Sequence, residues 1–265
     1  MVNMSKHSWH LIIDSPKNAS WNMAIDEYLL ERVTETGTPV LRLYSWQPAA
    51  LSLGYAQIVK RHVNIPYCKE NGIQIVRRLT GGKAVLHDKE MTYAVVGEIG
   101  KYPFEGTLLD SYRLIAGAFL KSLQLMGMSP EMVPHQQRAD SGGVSSCFEQ
   151  PSAYEITVNA RKILGSAQKR GRQSVLQHGS LLMNYDHNRW YNCLRNSTLT
   201  GSSRVTSLAE ALGQEPSWDL LVDIIIRSFE DVLSVSFNRM SLAPADLDYI
   251  ENYCMKNYPD LSFVE

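Results

Sequence analysis

CFEQPSAYEITVNARKILGSAQKR, residues 147–170, is the stretch from which the fold is read. SAYEITV and KILGSAQ each alternate apolar and polar residues, the period of a strand with one face buried. Asn159-Ala160 lies between them as a tight turn, and Asn159 is the residue expected to adopt the left-handed conformation there, which asparagine tolerates better than most. The strand-turn-strand unit is preceded by a thiol, Cys147, in a setting of Gly, Ser and Pro. It contains one ammonium, Lys162, and a run of small residues, Gly165-Ser166-Ala167.

Working outward, WHLIID reads as a first strand and Ser20–Thr36 as an amphipathic helix closed by Gly37, with Ser20 as its expected cap. PVLRLYSW and AALSLGY are short strands separated at Gln47-Pro48. Asn64–Asn71 reads as a helix ended by Gly72. IQIVRRL, KAVLHD and EMTYAVVGE are three further strands. Leu108, Leu109, Tyr112, Ile115, Phe119, Leu123 and Met126 recur at helical spacing over 106–126, and 129–150 reads as loop. QSVLQHGSLLM is one more strand, followed by the helical patterns DHNRWYNCLR, SWDLLVDIIIRSFEDVLS and APADLDYIENYCMKNY. Strands run consecutively rather than alternating with helices. That predicts an α+β fold with a mixed, mainly antiparallel sheet flanked by helices. Residues 1–265 are expected to form a single domain, with 205–265 a helical C-terminal portion.

A chain of 265 residues with 20% charged side chains and a formal net charge of −1 gives no electrostatic reason to expect nucleic acid or an anionic membrane as partner. No apolar run is long enough to span a bilayer, and MVNMSKHSWHLIID lacks a signal-peptide core. Of the cysteines, Cys68, Cys193 and Cys254 lie in helix-like segments and read as inert thiols. No Cys-x-x-Cys pair occurs, and reduced thiols fit a cytoplasmic protein. No His/Cys cluster has metal-ligand spacing, so no metal or cofactor is expected.

RRLTGGKAVLHD, residues 77–88, joins two strands through Thr80-Gly81-Gly82. Adjacent glycines let a backbone approach a ligand and turn its N–H groups outward, although a plain hairpin accounts for them equally. Arg77 and Arg78 point to opposite faces of their strand, so only one can face a site. Walker and Rossmann phosphate motifs are absent.

Together, RRLTGGKAVLHDKEMTYAV, SAYEITVNARKILGSAQKR and QHGSLLM resemble the lipoate-protein ligase and octanoyltransferase family, whose catalytic domain is related to that of biotin protein ligase. The resemblance covers residues 8–200. It implies that Arg77, Thr80, Gly81, Gly82 and His87 line an acyl pocket with Gly165, Ser166 and Ala167, and that Lys162 contacts the acyl carbonyl. Lys83 and Ala160 stand where some members have glycine.

Ligases of this family activate a free acid with ATP, whereas transferases pass an acyl group through an enzyme cysteine. The CFEQPSAYE run resembles the branch that moves octanoyl from acyl carrier protein to glycine-cleavage H protein in lipoate biosynthesis. It implies Cys147 as nucleophile and Lys162 as its partner, with octanoyl acyl carrier protein as donor and H protein or another lipoyl domain as acceptor. Chemistry agrees: an ammonium beside a thiol favours the thiolate, the attacking form. Two alternatives stay open, an amidotransferase taking its acyl group from H protein and an ATP-dependent lipoate ligase. Arg161, Lys169, Arg170 and Arg172 are candidates for a basic surface facing acidic carriers.

Overall fold

The computed structural model describes residues 6–133, 155–195 and 204–263. In chain order the elements are β1 (His7–Ile13), α1 (Ala19–Thr36), β2 (Val40–Tyr44), β3 (Ala50–Leu53), α2 (Val59–His62), α3 (Ile65–Glu70), β4 (Gln74–Arg77), β5 (Val85–His87) and β6 (Glu90–Glu98). They continue with α4 (Leu108–Leu125), β7 (Pro130–Met132), β8 (Ile156–Val158), β9 (Arg161–Arg170), β10 (Ser174–Leu182), α5 (His187–Cys193), α6 (Leu208–Leu212), α7 (Trp218–Val232), β11 (Val235–Arg239) and α8 (Pro244–Tyr249). A π-helical and then a 3₁₀ turn carry the chain from Ile250 to Asn257.

The strands form an eight-stranded sheet in the order β11-β1-β2-β6-β10-β9-β8-β7 and a three-stranded sheet in the order β4-β3-β5. Parallel pairing is confined to β11-β1-β2 and β3-β4, and the other pairs are antiparallel. This is the α+β arrangement expected from the sequence. Helices cover both faces of the large sheet. On one, Val175 and Leu181 of β10 meet α4 and α7 through residues such as Phe119 and Phe229, whose rings cross at 5.3 Å. On the other, Leu176 meets α1 and the turn around Ile250. Alternation along β10 thus sends odd-numbered residues towards α4 and even-numbered ones towards α1.

Differences from the sequence reading have local causes. Asn18, not Ser20, caps α1, its side chain accepting from Trp21 N at 3.0 Å, while the Ser20 hydroxyl is spent on the Tyr258 carbonyl. At the β8-β9 turn both Asn159 and Ala160 are left-handed, with φ of 52° and 60°. Two such residues match the twist of a hairpin, so Ala160 carries strain that glycine would not. Within 205–265, helices are joined by β11, which extends the large sheet beside β1. β7, inside the stretch read as loop, pairs with β8. The Thr80-Gly81-Gly82 turn is not a hairpin, because β3 lies between β4 and β5.

Candidate active site

A narrow chamber lies between the two sheets, beside α1. The small sheet turns Leu51, Leu53, Ile75 and Leu86 into a core shared with α3 and α5. Strand alternation therefore points Ser52, Val85 and His87 the other way, into the chamber. From the large sheet come Tyr44, Thr92, Gly165–Ala167 and His178–Ser180, with Trp46 following β2 and Met23 contributed by α1. Gly179 has to be glycine: a Cβ there would lie 2.5 Å from the Gly165 carbonyl oxygen and 2.6 Å from the Tyr93 ring.

Arg78 is 5% exposed and organises one end of this chamber. Its Nη2 donates to the carbonyls of Gly81 and Lys83, each at 2.7 Å, and its Nη1 to the Ser52 carbonyl at 3.0 Å, which braces the glycine turn against β3. Its Nε donates to Thr80 Oγ1 at 3.1 Å and its Nη1 to Ser52 Oγ at 3.2 Å. Each of these hydroxyls also meets a histidine. Thr80 Oγ1 is 2.7 Å from His178 Nε2, and His178 Nδ1 is 3.0 Å from Asp26 Oδ2. Ser52 Oγ is 2.8 Å from His87 Nε2, and His87 Nδ1 is 3.3 Å from Glu90 Oε1. Each histidine thus has a hydroxyl already engaged by Arg78 at its Nε2 and a carboxylate at its Nδ1.

Burial governs the electrostatics here. Desolvation pushes the His87 imidazole below its usual range despite the neighbouring Glu90, so the ring stays neutral. For Asp26 burial acts upwards, but the His178 hydrogen bond and the Arg42 guanidinium outweigh it and hold the carboxyl below the usual range. Burial and the Asp26 charge raise the Tyr44 hydroxyl well above its ordinary value, so it serves Asp26 as a donor at 2.9 Å. His87 is also stacked on Trp46 at 4.1 Å, and the indole Nε1 donates to Thr92 Oγ1 at 2.7 Å.

Lys162 is 4% exposed and ion-paired with Glu155, itself 3% exposed. Its orientation comes from a bulge. Leu164 pairs with Ile156 and Lys162 with Thr157, so Ile163 is an extra residue in β9. Opposed residues share a face, and Ile156 and Val158 belong to the α4 core. Thr157 and Lys162 therefore face the chamber side, in the row beyond Gly165, where a regular strand would have buried Lys162 under α4.

Of the residues expected at the site, the structure brings His87, Gly165, Ser166 and Ala167 to the chamber wall and places Thr80 just behind it. Arg77 is not on that wall. Its guanidinium is bound to the carbonyls of Gly54, Tyr55 and Gln57, and it borders a neighbouring groove with Gly81, Lys169 and Arg170. Arg78 takes the place expected of Arg77. Gly82 has φ of 92° and is pressed against β3, where a Cβ on Gly54 would come within 2.0 Å of its carbonyl oxygen. Cys147 lies outside the described residues. Of the basic candidates, Arg161 is paired with Glu210, and Arg170 donates to the carbonyls of Gly106 and Thr107 at the start of α4. Sequence reasoning missed Asp26, Ser52, Glu90 and Glu155. Their polarity inside otherwise apolar periodic segments was the available signal.

The model of the lipoyl protein ligase A/B catalytic domain family matches residues 18–230. The chain is 35% identical to octanoyltransferase LipM of Carboxydothermus hydrogenoformans over 245 residues, 89% of this chain and 90% of that protein. It is 32% identical to octanoyltransferase LipM of Staphylococcus aureus over 267 residues, 96% of this chain and 97% of that protein. Among solved structures, a lipoate-protein ligase A bound with ATP superposes with a TM-score of 0.77 at 22% identity, covering 94% of this chain and 99% of that one. A lipoate protein ligase of T. acidophilum with bound lipoic acid gives 0.74 at 23% identity, covering 92% and 93%. At that identity the two structures speak for the fold alone.

Proposed function

The chain belongs to the lipoyl protein ligase A/B catalytic domain family, and from that membership we propose that it is an octanoyltransferase of lipoate biosynthesis. The observation that carries this reading is its identity of 32–35%, over nearly the whole of both chains, to proteins that are octanoyltransferases. The chamber supports it, with a largely apolar wall for an alkyl tail and a buried lysine on the same side of the sheet.

The donor in this reading is octanoyl acyl carrier protein and the acceptor a lysine of H protein or another lipoyl domain. Cys147 is the nucleophile. At neutral pH a free thiol is only a few per cent thiolate, and a nearby ammonium raises that fraction. Cys147 falls in the sequence between β7 and β8, which pair with each other, and β8 is paired with β9 at Lys162. The Cys147 thiolate attacks the thioester carbonyl, the carrier thiolate leaves and takes up a proton, and the octanoyl group stays on Cys147. The neutral amine of the acceptor lysine then attacks, forms the amide, loses a proton and releases the Cys147 thiolate. Lys162, aimed by Glu155, holds negative charge on sulfur and on the carbonyl oxygen.

Intact-mass measurement tests this after mixing the protein with octanoyl acyl carrier protein and no ATP. An octanoyl adduct that is absent from Cys147→Ala is the expected result. An active Cys147→Ala, or transfer that needs free octanoate and ATP, overturns it. Transfer from octanoyl H protein but not from the carrier protein replaces it with the amidotransferase.

A further inference from the structure

The polar side chains of the chamber wall are almost all committed. Arg78, Ser52, Thr80, His87 and His178 bind one another and their carboxylates, Trp46 binds Thr92, Thr92 Oγ1 donates to Glu90 at 2.5 Å, and Tyr44 binds Asp26. Ser166 Oγ accepts from Tyr93 at 2.7 Å. One hydroxyl is left over. Ser180 is 3% exposed and lines the chamber, and its Oγ has no hydrogen-bond partner among the described residues.

An unpaired buried hydroxyl carries a desolvation cost, which a bound acceptor would relieve. The register says where that acceptor is. Ser180 is opposite Gly165 of β9 on one side and Thr92 of β6 on the other. Lys162 is the next chamber-facing residue of β9 beyond Gly165, because of the bulge at Ile163. Ser180 thus stands in the row next to Lys162, beyond the Ala167–His178 row, with Thr92 across from it already engaged by Trp46 and Glu90. A hydroxyl there meets the one polar group of an otherwise alkyl ligand. We propose that Ser180 Oγ–H donates to the acyl carbonyl oxygen, binding it in the ground state and more strongly as negative charge develops on it during transfer.

The proposal rests on the octanoyltransferase reading for its chemistry, and two measurements keep the two apart. The first is the rate of octanoyl transfer from octanoyl acyl carrier protein in the wild type, Ser180→Ala and Ser180→Thr. The alanine variant loses about 10²-fold, the order expected of a donor to a developing oxyanion, and the threonine variant recovers part of it. The melting temperature of Ser180→Ala does not fall, because the hydroxyl bonds none of the described residues. The second measurement is calorimetric binding of N-methyloctanamide and of octyl methyl sulfide, which lacks the carbonyl. Ser180→Ala weakens the amide by about three- to tenfold and leaves the sulfide unchanged. Equal weakening of both ligands, unchanged transfer, or a drop in melting temperature overturns the role of Ser180. A wild type that transfers nothing overturns the octanoyltransferase reading, and the binding measurement still decides Ser180.

Discussion

Around the glycine turn, Arg78, Ser52, Thr80 and two histidines spend their hydrogen bonds on one another and on Asp26 and Glu90, with Glu90 Oε2 the one atom of this network that has no partner among the described residues. At the end bounded by Lys162, a bulge turns a buried ion pair towards the chamber and one serine hydroxyl has no partner among the described residues. A saturated network presents little but carbon to a ligand and is rigid. An incomplete one costs stability and can interact with a reacting group. In the proposed function, the difference separates a part of the cavity that holds a tail from a part that does chemistry.

The strongest way to break this contrast is at Lys162. Lys162→Ala lowers octanoyl transfer by more than about 10³-fold and also destabilises the protein by about 3–5 kcal/mol, since Glu155 is left as a buried carboxylate without its ammonium. The double variant Lys162→Met, Glu155→Leu removes that charge, so denaturant titration recovers most of the lost stability while transfer stays absent. Recovery of transfer in the double variant would mean that the pair is structural.

Arg78 and Arg77 give the next test, at the saturated end. Arg78→Ala leaves several buried acceptors unpaired and costs about 3–5 kcal/mol, a fall in melting temperature on the order of 10 °C for a chain of this size. Arg78→Lys recovers little, because an ammonium cannot span the fork. Arg77→Ala removes contacts to carbonyls nearer the surface and costs about 1 kcal/mol. Equal losses would show that Arg78 does not brace the turn.

These residues also show what the sequence makes legible. Periodicity located α1, α4 and α7, because an amphipathic helix advertises its buried face over many residues. A five-residue strand such as β11, flanked by helical patterns, carries no such signal and is decided by the free edge of β1. Parity allowed only one of Arg77 and Arg78 to face the site. Which one depended on β3 lying between β4 and β5, a long-range arrangement. Asp26 and His178 are 152 positions apart, and only the packing of α1 on β10 makes them partners. The bulge at Ile163 was invisible for a related reason: alternation assigns faces only until a residue is inserted.

A smaller effect at the saturated end follows from His87. Its folded-state value lies below the ordinary imidazole value of about 6.5, so from there down to the lowered value the unfolded chain binds a proton that the folded chain does not. Stability is therefore full above about pH 6.5 and declines as pH falls through that window. His87→Gln flattens this part of the profile in denaturant titrations between about pH 7.5 and 5. An unchanged slope would assign the acid sensitivity to other groups and remove His87 from the network's energetics.

The smallest effect concerns the tail. Met23 lies one helical turn before Asp26, whose carboxylate holds His178, and so belongs to the Ala167 end of the chamber rather than the Lys162 end. Met23→Ala opens space there without touching a hydrogen bond. Each methylene that gains a buried place is worth about 0.8 kcal/mol, or roughly fourfold in preference. The ratio of decanoyl to octanoyl transfer, which differ by two methylenes, then rises by up to about 15-fold in Met23→Ala, measured as kcat/KM for the two thioesters, while kcat for octanoyl changes little. If octanoyl kcat fell instead, the tail and the reacting carbonyl would not occupy opposite ends, and the contrast between a holding end and a reacting end would have to be abandoned.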